Sequence, residues 1–140
     1  MKARVKWLEG MRFVGEAGSG HCVVMDGPPE EGGRNLGVRP MEMLLLGLGG
    51  CAAFDVVLIL KRARQAVTDC QVVIEAQRSD SVPKVFTRIH VTFEVSGNRL
   101  SDKHVSRAVE LSSGKYCSVS KMLEHTAEMI YSYDIIQSEE

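Results

Sequence analysis

The sequence lacks the motifs that mark nucleotide, thioredoxin-like or metal sites. It contains neither a G-x-x-x-x-G-K-[ST] loop nor a G-x-G-x-x-G fingerprint, so nothing argues for a nucleotide site. No CxxC pair occurs among the four cysteines, which excludes a thioredoxin-like motif. The four histidines are scattered without metal-ligand spacing. We therefore expect neither a metal nor a bound cofactor.

A strong net charge is also missing. The 17 basic and 18 acidic residues give a net charge of −1, so nothing indicates a nucleic-acid partner or an anionic membrane surface. The basic residues at the start precede no apolar stretch, and no secretory signal is visible. We therefore expect a cytoplasmic protein with reduced thiols. The length of 140 residues, without repeats or linkers, predicts a single domain over residues 1–140.

One long apolar segment does occur, and its sequence is RPMEMLLLGLGGCAAFDVVLIL. Its length matches a membrane-spanning helix. However, it contains Glu42, Asp55 and three glycines, and carboxylates facing lipid are costly. We predict instead a central helix over residues 40–64 of a soluble protein, with Pro40 in its first turn.

Alternating apolar and polar residues predict strands on both sides of this helix. Residues 1–27 contain three N-terminal strands, among them a half-buried first strand with Val5 and Trp7 facing inward. Residues 67–136 form an α+β part whose clearest strand runs from Val85 to Val95. A helix capped by Ser101 should end at Gly114. The predicted order is βββ-α-ββ-α-α-β, an α+β fold.

Two features of this arrangement predict a second chain. The three N-terminal strands have no helix of their own to pack against, and a small meander is marginal alone. The long helix is apolar around too much of its circumference for one neighbouring sheet. Both favour an obligate homodimer with exchanged N-terminal strands. The alternative is a compact monomer whose own sheet covers the helix.

The four cysteines differ in their surroundings. Cys22 and Cys70 lie on predicted strands, where small core residues are common. Cys51 follows two glycines in the apolar helix, and Cys117 opens a later helix with a lysine nearby. A helix start and a neighbouring cation both predict a lowered pKa for Cys117. The alternative for each thiol alone is a buried, inert side chain.

Two stretches, RPMEMLLLGLGGC and KYCSVSKML, resemble the OsmC/Ohr family of small bacterial thiol-dependent proteins, and most of all its YhfA-like branch. The resemblance implies an intertwined homodimer with two central helices. It also implies reduction of organic hydroperoxides, with Cys51 as the peroxidatic and Cys117 as the resolving cysteine. An external dithiol of the lipoyl type would reopen their disulfide. A buried thiol at a dimer-lined pocket would select small apolar hydroperoxides and protect the sulfenic acid.

The sequence departs from the family pattern around the helix start. The family's acidic residue directly follows the proline, but here that position is Met41 and the acid is Glu42. On an ideal helix Glu42 lies about 180° away from Cys51. For the family's catalytic arginine, which pairs with that acid and the thiolate, the candidates are Arg12, Arg34 and Arg39.

Asp55 is a second departure with consequences for reactivity. It lies four residues after Cys51, on the same helical face. A nearby carboxylate opposes thiolate formation unless an arginine neutralises it. Alternatively, Asp55 holds an arginine or a polar ligand in the pocket, or it satisfies a backbone group or a salt bridge across the dimer.

Three functional hypotheses follow. The first is a thiol-dependent organic hydroperoxide reductase acting in oxidative-stress defence, favoured by the pair Cys51 and Cys117. The second is a non-catalytic binder of a small apolar or electrophilic molecule in the same pocket. The third is a stress protein that carries its cysteines as relics. The positions of Glu42 and Asp55 favour the second and third hypotheses.

Overall fold

A computed structural model describes residues 1–138 and contains, over that range, six strands and three helices. The strands are β1 Ala3–Glu9, β2 Arg12–Ala17, β3 Cys22–Met25, β4 Ala66–Arg78, β5 Phe86–Asn98 and β6 Glu128–Gln137. The helices are α1 Pro40–Arg62, α2 Asp102–Leu111 and α3 Ser118–Leu123, with a 3-10 turn at Pro29–Glu31 and a π-helical turn at Ser112–Tyr116. The predicted element order and the α+β class are confirmed.

The chain divides into two compact units, and the boundary between them in the sequence falls within α1, after Leu46 and before Gly47. The first unit contains the antiparallel sheet β1-β2-β3. In the single chain β1 is exposed along its whole length, with Val5 and Trp7 about 60% and 61% exposed. The prediction of a half-buried β1 is therefore wrong for one chain, because nothing in residues 1–138 covers these side chains.

A buried carboxylate organises the loop that follows β3. Asp26 accepts hydrogen bonds from the backbone N–H groups of Gly27 at 2.7 Å, Leu36 at 3.1 Å and Arg34 at 3.3 Å. Burial alone would raise the pKa of Asp26, but these three hydrogen bonds outweigh it and lower the pKa. The glycine-rich loop is thus held by an ionised side chain.

The second unit contains the three-stranded sheet in which β5 is central. β5 pairs antiparallel with β4 and parallel with β6. The apolar residues of its alternating pattern are fully buried: Ile89, Val91, Phe93 and Val95. This burial explains why β5 has the clearest strand pattern in the sequence.

The part of α1 in this unit packs through a narrow stripe at helical spacing. The buried residues are Leu48, Ala52, Val56 and Leu60. A Cβ added at Gly49 would lie 3.2 Å from the Ile74 side chain, so glycine allows close packing of the helix on β4. By length and composition alone α1 could cross a membrane. Its stripe instead forms part of a protein core.

The remaining surface of α1 is apolar but not covered by the described chain. Phe54 is 68% exposed and Leu46 is 59% exposed, and a Cβ at Gly50 would meet nothing within 4 Å. Exposed apolar patches of this kind mark interaction surfaces. The prediction of an over-apolar central helix therefore describes the single chain correctly, whereas the homodimer stays a prediction.

The connection from α2 to α3 positions one of the candidate cysteines. Gly114 does not end the helical path as predicted, because the chain continues through the π-helical turn to Tyr116. The backbone N–H of Cys117 then donates to the Ser112 carbonyl at 2.9 Å. Cys117 is thereby placed immediately before α3.

Candidate redox-active site

Cys117 caps α3 with its own side chain. It is the N-cap residue, and its Sγ accepts a hydrogen bond from the Ser120 backbone N–H at 3.4 Å. Its side chain is completely buried. Sulfur here takes the capping role that oxygen-bearing side chains usually have, so the thiol is held in one place rather than free to rotate.

Cys51 lies on α1 next to the buried stripe and is half-buried. The Cys51 Sγ, the Cys117 Sγ and a carboxylate oxygen of Asp55 all lie within 4.8 Å of one another. Both thiols are free. The structure thus brings together the two predicted cysteines, and it confirms that Asp55 shares the helical face of Cys51.

Ser112 fixes the Asp55 carboxylate and was not predicted from the sequence. Its hydroxyl is fully buried and lies 3.4 Å from Asp55 Oδ2 and 3.2 Å from the Ala52 carbonyl oxygen. No sequence signal points to it, because its role depends on the π-helical turn reaching α1. The hydroxyl is thus shared between a helix carbonyl and the site carboxylate.

Two further hydroxyls, those of Ser120 and Tyr131, lie beside Cys117 and near each other. The side-chain oxygens of Ser120 and Tyr131 are buried without a hydrogen bond of good geometry within residues 1–138. Such groups cost free energy unless a further group satisfies them. These two hydroxyls make the surroundings of Cys117 polar in an otherwise apolar core.

The electrostatic environment opposes ionisation of the acids in this site. Burial raises the pKa of Asp55, and the Ser112 hydrogen bond opposes that rise only in part. Burial also raises the pKa of Cys117, so the predicted lowering at a helix start is wrong. The short α3 offers one N–H group, and desolvation outweighs it. Lys115 is the lysine that was expected to lower the pKa of Cys117, and its ammonium group lies 5.2 Å from the Tyr116 ring centre.

No basic side chain compensates the carboxylate within the second unit. Among residues 47–138, no lysine, arginine or histidine forms an ion pair with Asp55. The partner of Asp55 in this part of the chain is the Ser112 hydroxyl, and the alternatives given for this residue stay predictions.

Glu42 has a local structural role at the start of α1. Its Oε1 accepts a hydrogen bond from the Arg39 backbone N–H at 2.7 Å. A glutamate in the first turn that reaches back to the N-cap N–H is half of a capping box. This bond accounts for an acid at the third helical position without any catalytic role, and the family's acid role for Glu42 stays a prediction.

The three arginine candidates all lie in the first unit, where the side chains of Arg12 and Arg39 have partners. Arg12 pairs with Glu9 at 2.7 Å. The Arg39 guanidinium donates to the Asn35 side chain at 3.0 Å and to two backbone carbonyls. Arg34 lines a cavity of about 260 Å³ together with Arg12. That one of these three arginines completes a catalytic site stays a prediction.

The other two cysteines stand apart chemically. Cys22 is an exposed, free thiol on β3. Cys70 is half-buried on β4, and burial followed by the adjacent Asp69 carboxylate raises its pKa. Neither belongs to the group of Cys51, Asp55 and Cys117, which we call the thiol–carboxylate cluster.

An α+β chain of this topology with paired cysteines on α1 and before α3 defines a class of small thiol proteins. The family described as OsmC-like protein matches residues 32–132. The chain is 46% identical to Protein YhfA of Escherichia coli (strain K12), covering 97% of this chain and 98% of that protein. The chain therefore belongs to the OsmC-like family.

Solved structures agree with this assignment. A hypothetical protein from Aquifex aeolicus VF5 is 27% identical with a TM-score of 0.86, covering 99% of this chain and 97% of that one. An organic hydroperoxide resistance protein OsmC from Legionella pneumophila shares the fold at 16% identity, with a TM-score of 0.69 and 95% coverage of both chains. Family membership supports a redox or stress-related role.

Proposed function

We propose that the protein is a thiol-dependent organic hydroperoxide reductase in which Cys51 and Cys117 react in sequence. The observation that carries this proposal is the approach of the two free sulfurs to within 4.8 Å. A disulfide needs a sulfur separation of about 2.05 Å. Disulfide formation therefore requires the Cys51 side chain to rotate or α1 to shift toward the fixed Cys117 sulfur.

The reaction balances with two thiols and one hydroperoxide. The Cys51 thiolate attacks the terminal peroxide oxygen, the O–O bond breaks, and the alkoxide takes up a proton to leave as an alcohol. Cys51 is then a sulfenic acid. The Cys117 thiolate attacks this sulfur and expels hydroxide, which leaves as water, and a disulfide remains. An external dithiol, of the lipoyl type that the resemblance implies, donates two electrons to restore both thiols.

The surroundings of the cluster predict a slow enzyme. The thiolate is the reactive species. Burial raises the pKa of Cys117, and Asp55 adds a carboxylate without a basic partner in residues 47–138. The raised pKa reduces the fraction of Cys117 thiolate at neutral pH. We therefore expect disulfide formation to be faster when the pH is raised.

The assembly that we propose is the homodimer predicted from the sequence. Its support is the exposed apolar surface of both units, with Trp7 on β1 and Phe54 on α1 each more than 60% exposed. A second copy of the chain would cover these side chains and line a pocket for a small apolar hydroperoxide.

Turnover is the test of this proposal. Reduced protein is mixed with cumene hydroperoxide and dihydrolipoamide, and loss of hydroperoxide is followed over time. We expect multiple turnovers that stop in Cys51→Ser, whereas Cys22→Ser serves as the matched control and keeps full activity. Turnover that survives Cys51→Ser would contradict the assignment of the reacting thiol.

A second candidate function is favoured by the same electrostatics. A cluster with suppressed ionisation suits a non-catalytic site for a small apolar or electrophilic molecule. In that case the protein binds such a molecule but consumes no hydroperoxide, and the turnover assay separates the two functions directly.

A further inference from the structure

The thiol–carboxylate cluster has the composition of a soft-metal site. Two sulfurs and one carboxylate oxygen converge within 4.8 Å, contributed by Cys51, Asp55 and Cys117. Thiolates combined with one oxygen or nitrogen ligand are a donor set that Zn²⁺ accepts. In the sequence, the scattered histidines argued against a metal site. That argument does not apply to this cluster, because its ligands are cysteines and an aspartate from α1 and from the residue before α3.

We propose that the reduced cluster binds one thiophilic divalent cation of the Zn²⁺ type through these three side chains and leaves a fourth coordination position open. Neither the homodimer nor the hydroperoxide chemistry is needed for this binding. Three protein ligands with an open position is the arrangement found where zinc meets an external ligand.

The distances permit this coordination with small movements. Zn–S bonds of about 2.3 Å in a tetrahedral site place two sulfurs about 3.8 Å apart. The three ligand atoms already lie within 4.8 Å of one another, so closing the site takes shifts of about 1 Å. Cys51 and Asp55 are one helical turn apart, which is the spacing that places two ligands on one side of a cation.

Hydrogen bonds already orient two of the three ligands. The Ser120 backbone N–H donates to Cys117 Sγ, and the Ser112 hydroxyl lies 3.4 Å from Asp55 Oδ2. Hydrogen bonds from surrounding groups that orient the ligands are a regular feature of metal sites. The Ser120 hydroxyl is fully buried, faces the Cys117 sulfur and lacks a hydrogen-bond partner of good geometry in residues 1–138.

A bound cation would also supply positive charge, which the site lacks. Two thiolates and a carboxylate carry three negative charges, and no basic side chain of residues 47–138 pairs with Asp55. Binding of Zn²⁺ to two thiols and one carboxylate releases two protons. The complex then has a net charge of −1, and affinity should rise with pH.

The cation and a hydroperoxide compete for the same sulfur electrons. Bound Zn²⁺ should therefore protect Cys51 from oxidation, and formation of the Cys51–Cys117 disulfide should release the cation. This consequence alone rests on the proposed function. Binding itself is measured with reduced protein and without any peroxide.

The experiment titrates metal-free, reduced full-length protein with Zn²⁺ by calorimetry in two buffers of different ionisation enthalpy. Co²⁺ serves as a coloured substitute whose thiolate charge-transfer absorption counts the bound sulfurs. We expect one cation per chain and release of protons. Asp55→Asn should keep the absorption of two thiolates but weaken binding by about tenfold or more. Cys51→Ser and Cys117→Ser should each lose half of that absorption.

Two control variants separate this site from other ligands. Cys22→Ser and Asp69→Asn remove an exposed thiol and a carboxylate outside the cluster, and both should bind the cation as the unaltered chain does. Circular dichroism confirms that each variant is folded. The proposal is overturned if stoichiometric Zn²⁺ does not bind, if binding follows Cys22, or if Asp55→Asn leaves the affinity unchanged.

Discussion

Replacing Asp55 by asparagine should accelerate oxidation of Cys51 by hydroperoxides. The Asp55 carboxylate lies within 4.8 Å of the Cys51 sulfur and has the Ser112 hydroxyl as its partner. A negative charge at this distance disfavours the Cys51 thiolate, which is the reacting species. Asparagine keeps the size of the side chain and its capacity to accept a hydrogen bond from Ser112, so the substitution removes mainly the charge.

The magnitude follows from the separation of the two charges. Coulomb's law at about 4.8 Å gives about 1 kcal/mol in water and about 3.5 kcal/mol at an effective dielectric constant of about 20. Asp55 is half-buried, so we take the lower figure as a minimum. About 1 kcal/mol corresponds to about a fivefold gain in rate.

The ratio of the oxidation rate of Asp55→Asn to that of the unaltered protein should change with pH. Burial raises the pKa of Asp55, so at acidic pH its carboxyl becomes protonated and the repulsion disappears. The two proteins should therefore oxidise at similar rates below the Asp55 pKa. The ratio of rates should rise as Asp55 ionises.

The assay is the single-turnover oxidation of Cys51 by tert-butyl hydroperoxide in metal-free buffer, measured across this pH range. Glu42→Gln is the matched control, because Glu42 binds the Arg39 N–H and its loss of charge should change the rate little. The reasoning is refuted if Glu42→Gln abolishes oxidation while Asp55→Asn leaves the rate unchanged. The helix would then bring Glu42 into the family's acid role.

Two further predictions concern assembly and acid stability. Sedimentation at low micromolar concentration should give about twice the chain mass of 15.4 kDa, and a folded monomer would remove the basis for a pocket between two chains. Asp26→Asn should reduce thermal stability at neutral pH, because the depressed pKa of Asp26 contributes stability above its unfolded value of 3.8 that is lost as the pH falls through the folded pKa. Melting curves below pH 4 should therefore differ less between the two proteins than those at pH 7, and equal differences at both would contradict this role.

Local pattern was sufficient to predict much of the fold. The alternation of apolar residues predicted β5, because its inward side chains are buried between the layers of one unit. The i and i+4 positions of Cys51 and Asp55 predicted that their side chains share a face, because a helix imposes that spacing. These predictions succeeded where a single element sets the geometry.

Properties that depend on several elements could not be predicted in this way. The helix start suggested a lowered pKa for Cys117, but the sulfur is completely buried and desolvation dominates. Ser112 reaches Asp55 only because the π-helical turn continues past the glycine that was expected to end α2. Val5 and Trp7 have the pattern of a half-buried strand but remain exposed in one chain, since their burial depends on a surface outside it.

Disulfide mapping tests the central claim most directly. Reduced, metal-free protein receives one equivalent of cumene hydroperoxide, and its peptides are analysed by mass spectrometry without reduction. The account predicts a bridge between Cys51 and Cys117 in most chains, with Cys22 and Cys70 remaining free thiols. A bridge between Cys22 and Cys70, or oxidation that leaves Cys51 and Cys117 as thiols, would contradict it.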